Sequence, residues 1–195
     1  MENKIIMGID PAGKPQNPTG CAIWKDGTVK TSLIYTDNEI LENIARSKPA
    51  IIAIDAPFSF PKRGILRKAD KEMIRRGYRV FPPSIKAMRK LTARTIKLNK
   101  LIAEKGYKII EVHPTSTRKA LNIPAKEWKE IQKILKSIRL EGDFKARTLT
   151  PHEIDAITAA LTAYLHMQKQ TEALGDKEEG YIIIPRKQDW RTLQI

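Results

Sequence analysis

Residues 150–170, TPHEIDAITAALTAYLHMQKQ, constrain this chain more than any other stretch. Thr150 can cap a helix, Pro151 suits the first helical position, and Glu153 completes a capping box three residues after the cap. The run that follows is nearly all apolar: Ile154, Ala156, Ile157, Ala159, Ala160, Leu161, Ala163, Tyr164 and Leu165. A helix apolar on every side belongs in an interior. One charge sits inside it, Asp155, with His152 three residues earlier on the same face. A carboxylate carried into an interior needs a cation or several donors. The question is therefore what Asp155 faces.

Three other acids suggest an answer. Residues 4–10 (KIIMGID), 50–56 (AIIAIDA) and 107–112 (YKIIEV) are short apolar runs that read as buried strands. They carry Asp10, Asp55 and Glu111 at or near their ends. Residues 19–25 and 28–35 flank Asp26-Gly27, a hairpin signal, so the first three strands make an antiparallel meander. Helices are predicted over 38–46, 65–76, 84–105, 117–121 and 128–138. Residues 141–149 read as polar and mobile, 181–184 as a last strand, and the tail as polar. The pattern predicts one mixed α/β domain over residues 1–195. No GxGxxG follows a strand and no GxxxxGK[ST] is present, so neither a dinucleotide fold nor a P-loop is supported.

The net charge of +14 is concentrated in one place. Residues 62–108 hold sixteen lysines and arginines against three acids, which is +13 and leaves +1 for the rest. Residues 62–106 read as a basic helical insertion in an otherwise neutral domain. Lys86, Arg89, Lys90, Arg94, Lys97 and Lys100 lie opposite the apolar side of the longer helix. The lysine, arginine, glutamate and isoleucine content fits a heat-adapted host, but a heat-adapted surface would mix the signs for ion pairing. A one-sign block is the footprint of a polyanion, and nucleic acid is the partner it implies. The single cysteine, Cys21, excludes an intrachain disulfide and a cysteine zinc cluster. No apolar run approaches the roughly 20 residues of a membrane span, and the N-terminus lacks the zones of a signal peptide. The expected partners include no membrane, and the expected location is the cytoplasm.

If the three acid-bearing strands are parallel neighbours, their carboxylates converge at one sheet edge and the helix can bring Asp155 there. Clustered carboxylates raise each other's pKa. Hard divalent cations relieve the repulsion, and an oxygen-only ligand set selects Mg²⁺ or Mn²⁺ over zinc. Two such ions, about 4 Å apart, are a known arrangement for phosphodiester hydrolysis. Each group also has a structural reading. A strand-end Asp can cap a turn, Glu111 can pair with a lysine, His113 can be a turn residue before Pro114, and His152 can sit exposed in the first helical turn.

The motifs GID (8–10), IDAP (54–57), R-x-x-D (67–70), VFPPS (80–84), EVHPTST (111–117), HEIDA (152–156) and GDKEEGYIIIP (175–185) span nearly the whole chain. Together they resemble a prokaryotic domain-of-unknown-function family described as predicted nucleases of ribonuclease H-like fold. HEIDA is also similar to the His-x-x-Asp of bacterial Holliday-junction resolvases. The resemblance implies a ribonuclease H-like mixed sheet, with a three-stranded meander and further parallel strands flanked by helices. It implies Asp10, Asp55 and Asp155 as metal ligands, with His152 a ligand or an aid to the attacking water. Glu111 has no secure counterpart in resolvases and stands as a further catalytic and metal candidate. The expected activity is hydrolysis of structured DNA or RNA with two Mg²⁺ or Mn²⁺ ions. Arg67, Lys86, Arg89, Lys90, Arg94 and Lys97 would contact phosphate, and a homodimer would suit junction cutting. One alternative is a nucleic-acid-binding module that does not cut. Another is ATP-dependent phosphotransfer of the sugar-kinase and actin type. That group duplicates its domain and carries Asp-x-Gly-Thr, where this chain has Asp10-Pro11-Ala12-Gly13.

Overall fold

Short isoleucine-rich strands bury both faces only when helices cover both sides of their sheet. The computed structural model describes residues 4–124, 127–138 and 140–195 and has that arrangement. In chain order the elements are β1 (Ile6–Asp10), β2 (Thr19–Lys25), β3 (Thr28–Ile34), α1 (Asp37–Ser47), β4 (Ile51–Ile54), α2 (Lys68–Arg75), α3 (Lys86–Glu104), β5 (Ile109–Val112), α4 (Pro114–Ala120), α5 (Trp128–Ser137), β6 (Glu141–Gly142), α6 (Pro151–Met167), β7 (Thr171–Asp176) and β8 (Gly180–Pro185). The sheet order is β6-β3-β2-β1-β4-β5-β8-β7. The meander β1-β2-β3 is antiparallel, and β4, β5 and β8 continue from β1 in parallel. Asp26 and Gly27 both take positive φ at the β2–β3 turn, as a two-residue hairpin requires.

Period-two alternation sends the two sides of each strand into different cores. Ile6, Ala22, Trp24, Ile51, Ala53, Ile110 and Val112 pack with residues of α5 and α6. Met7, Ile9, Cys21, Ile52 and Ile54 pack on the other side with Ile40 and Ile44 of α1 and Leu98 and Ile102 of α3. A third cluster joins Ala69 and Met73 of α2 to Leu174 of β7 and Ile182 and Ile184 of β8. The expected capping box of α6 is present: Thr150 Oγ1 accepts from the Glu153 N–H, and the Glu153 carboxylate accepts from the Thr150 N–H at 2.9 Å.

Two expectations need correction. Residues 141–149, expected to be polar and mobile, are tied into the fold. Gly142 pairs with Val29 of β3, Phe144 and Leu149 are buried, and Gln132 donates to the carbonyls of Phe144 (2.7 Å) and Arg147 (2.6 Å). The same Gln132 accepts from the Leu149 N–H. Residues 171–176, for which sequence reasoning named no element, form β7, the edge partner of β8. The first helix of the basic segment also begins at Lys68, three residues later than its apolar spacing suggests.

Candidate active site

Parallel pairing sets the site. The Asp55 N–H donates to the Ile9 carbonyl at 2.9 Å, so Asp55 lies beside the end of β1, where Asp10 is the last residue. Glu111 pairs with Ile54 on the other side of β4. Asp10, Asp55 and Glu111 therefore share one edge of the sheet. Two glycines bring α6 to that edge. A Cβ on Gly8 would stand 2.0 Å from the Ala156 carbonyl oxygen, and one on Gly20 would stand 2.0 Å from that of His152. Only strands without side chains at these points let the helix lie so close. His152 Nδ1 then meets Asp10 Oδ2 at 2.7 Å, and Asp155 follows three residues later, facing the same edge.

The electrostatics follow from this crowding. Burial pushes Asp55 well above the ordinary carboxylate range, and the negative charges of Asp10 and Asp155 push it further, partly opposed by Arg118. Asp155 is also raised, chiefly by burial, while Arg118 holds it down. His152 is raised because it hydrogen-bonds Asp10. A cavity of about 180 Å³ opens at this edge, bounded by Asp10, Asp55, Arg67, Glu111, Phe81 and Met88 among others.

Glu111 faces this cavity with its charge already matched. Arg67 grips both carboxylate oxygens, at 2.6 and 2.8 Å, and the Phe58 N–H donates to Oε2 at 2.8 Å. Arg67, expected on phosphate, is only 1% exposed and also holds Asp70 at 2.9 Å. Burial still raises Glu111, against the opposing pull of Arg67. Arg94, also expected on phosphate, turns inward to Asp37 (2.7 Å) and the Tyr35 carbonyl (2.8 Å), which fixes the start of α1 to α3. Lys86, Arg89, Lys90 and Lys97 are exposed on α3. His113 caps α4, its Nδ1 2.7 Å from Ser116 Oγ, and burial depresses its pKa to about 4.

Arg118 of α4 was not singled out by sequence reasoning. It pairs with Asp155, contacts Thr158, and places its guanidinium carbon 5.3 Å from the centroid of the Trp128 ring. Its only signal in the sequence was a cation a few residues after the Glu111 strand, which many surface arginines share.

Among the described residues, no group of three or more His, Cys, Asp or Glu side chains is already gathered as a metal-ligand sphere. The donor set still suits a hard divalent ion: Asp10, Asp55 and Asp155 offer only oxygen, and after burial the charges of Asp10 and Asp155 add to the rise of Asp55. Arg118 supplies part of the counter-charge to that set.

The architecture has solved relatives. The structure titled "T. thermophilus RuvC in complex with Holliday junction substrate" superposes with a TM-score of 0.54 at 15% identity, covering 85% of this chain and 96% of that one. A second, titled "Thermus thermophilus RuvC structure", has a TM-score of 0.49 at 17% identity over the same shares of the two chains. The first likeness establishes the ribonuclease H-like fold. No curated protein matches the chain in sequence. Residues 8–180 match the family model described as "Protein of unknown function (DUF429)". No helix among the described residues is long and apolar enough to cross a membrane.

Proposed function

The chain belongs to the DUF429 family, and from that membership, its resolvase-like fold and its carboxylate cluster we propose that it is a divalent-metal-dependent nuclease acting on structured DNA or RNA. One observation carries the reading: Asp10, Asp55 and Asp155 meet at one sheet edge, where burial raises Asp55 and the charges of Asp10 and Asp155 raise it further. Such mutual repulsion is costly in a fold unless a cation completes the site.

Asp10, Asp55 and Asp155 would hold Mg²⁺ or Mn²⁺. Two bound ions would supply an activated water and charge stabilisation on the phosphate. His152, held through Nδ1 by Asp10, which raises its pKa, is placed to act as a general acid toward the departing oxygen. Glu111 acts as a positioning residue: with Arg67 and the Phe58 N–H it fixes the loop that follows Asp55. Lys86, Arg89, Lys90 and Lys97 would carry the flanking phosphates, and residues 62–106 would serve as the platform. A four-way junction has two strands to cut, so activity on that substrate would need two copies.

A second reading, binding without cleavage, has Arg118 in its favour, because that residue already neutralises Asp155. Cleavage separates the two. Labelled single strands, duplexes, flaps, four-way junctions, RNA and hybrids would be incubated with Mg²⁺ or Mn²⁺, wild type beside Asp10→Asn. Cutting by wild type alone supports the nuclease and identifies its substrate. Salt-sensitive binding with no cutting favours the binding module.

A further inference from the structure

Beside the acid cluster, on the α4–α5 side, lies a second concavity of about 650 Å³. Its walls include Arg79, Thr115, Arg118, Lys119, Asn122 and Trp128. Three of these are cations, and among the described residues no acid lines it. Arg79 and Lys119 are exposed, and Thr115 and Asn122 add exposed hydrogen-bonding groups. Trp128 is half-buried: part of its ring packs on the main core and part faces the concavity. Arg118 joins the two sites, because the guanidinium that pairs with Asp155 also lies over the Trp128 ring.

We propose that this groove binds an unpaired stretch of the nucleic-acid strand next to the cut site, with one base stacked on Trp128 and its phosphates on Arg79 and Lys119. The proposal rests on the nuclease reading for its context and adds to it a preference for unpaired strands. The chemistry is that of known single-strand surfaces, which combine a cationic track with an aromatic platform and need no sequence-specific contacts. A guanidinium over the indole strengthens the platform through cation–π attraction. A continuous duplex cannot present a base to Trp128 without unstacking it. The groove therefore favours flaps, frayed ends and junction arms over blunt duplex. Charge selects the occupant: Ile123, Pro124, Trp128 and Ile131 give an apolar floor for a base, and the exposed cations Arg79 and Lys119, with no acid beside them among the described residues, favour a polyanion over an apolar peptide.

The test is binding in the absence of divalent metal, so that cleavage plays no part. Fluorescence anisotropy would be read with a labelled single strand and with a blunt duplex. Trp128→Leu keeps apolar volume against the core and removes the π surface; Trp128→Phe keeps a smaller ring. Trp128→Leu should weaken single-strand binding by roughly five- to 150-fold, the span expected for one lost base stack. It should leave duplex binding within about twofold, and Trp128→Phe should retain most of the affinity. Arg79→Glu should also weaken the single strand more than the duplex. Unchanged single-strand affinity in Trp128→Leu and Arg79→Glu, or equal losses on both ligands, would overturn the groove assignment. Failure of the nuclease reading would appear separately, as absence of cleavage with these binding ratios intact.

Discussion

Replacing Arg67 with alanine would expose how the floor of the acid site is held. In the wild type this arginine is 1% exposed and pairs with two buried carboxylates, Glu111 at 2.6 Å and Asp70 at 2.9 Å. Removing the cation leaves both acids buried without it. Breaking a buried pair in this way costs about 3–5 kcal/mol, a large share of the roughly 5–15 kcal/mol that holds a domain folded. For a chain of this size each kcal/mol moves Tm by about 2–4 °C, so the melt should fall by roughly 6–20 °C. The loss should also depend on pH. Burial raises Glu111 in the fold and Arg67 opposes that rise, so without Arg67 the folded pKa climbs further above the unfolded value. A raised carboxylate costs stability once pH exceeds its unfolded pKa, and the cost disappears as pH falls back through that range. The deficit of Arg67→Ala should therefore shrink on acidification. The triple variant Arg67→Met, Asp70→Asn, Glu111→Gln removes all three charges and should recover most of the loss. Thermal unfolding followed by circular dichroism across pH measures each of these. A single variant within about 1 kcal/mol of wild type, or a deficit constant with pH, would refute the buried-triad account.

Further predictions follow from the same site. Asp55→Asn should melt higher than wild type at neutral pH while losing cleavage. The folded pKa of Asp55 is raised, so its ionisation costs stability above the unfolded pKa and asparagine removes that cost; a lower melt would contradict this. The raised pKa of His152 contributes stability at low pH that is lost as pH rises through the folded value. By proton NMR the His152 pKa should fall in Asp10→Asn, and an unmoved value would remove the Asp10 contact as its cause. Gly8→Ala should destabilise by about 1–3 kcal/mol or more, because the new Cβ meets the Ala156 carbonyl oxygen at 2.0 Å. Denaturant unfolding equal to wild type would show that α6 does not pack so closely on β1.

Local signals carried much of the fold. The runs ending in Asp10 and Asp55 are five or so apolar residues with an acid at the boundary, and a buried strand is their simplest solution. Thr150, Pro151 and Glu153 marked the start of α6 because capping chemistry is local in sequence. What the sequence hid was long-range. Arg67 and Glu111 are 44 residues apart, and nothing in the basic segment separates the arginine that turns inward from those that face solvent. Arg94 and Arg118 were hidden in the same way, since counting charge says how much there is and not which way it points. β7 escaped because it is an edge strand with only Leu174 fully buried, so it shows no alternation. The 141–149 segment looked polar, yet Phe144, Leu149 and Gln132 anchor it.

The most direct test of the central claim is a calorimetric titration of Mn²⁺ into wild type, Asp10→Asn and Asp155→Asn at neutral pH. If the three aspartates form one metal site, wild type binds Mn²⁺ and each variant binds it much more weakly, while circular dichroism shows all three folded. No binding by wild type, or equal binding by the folded variants, would contradict the account and leave the cluster to Arg118 and the core.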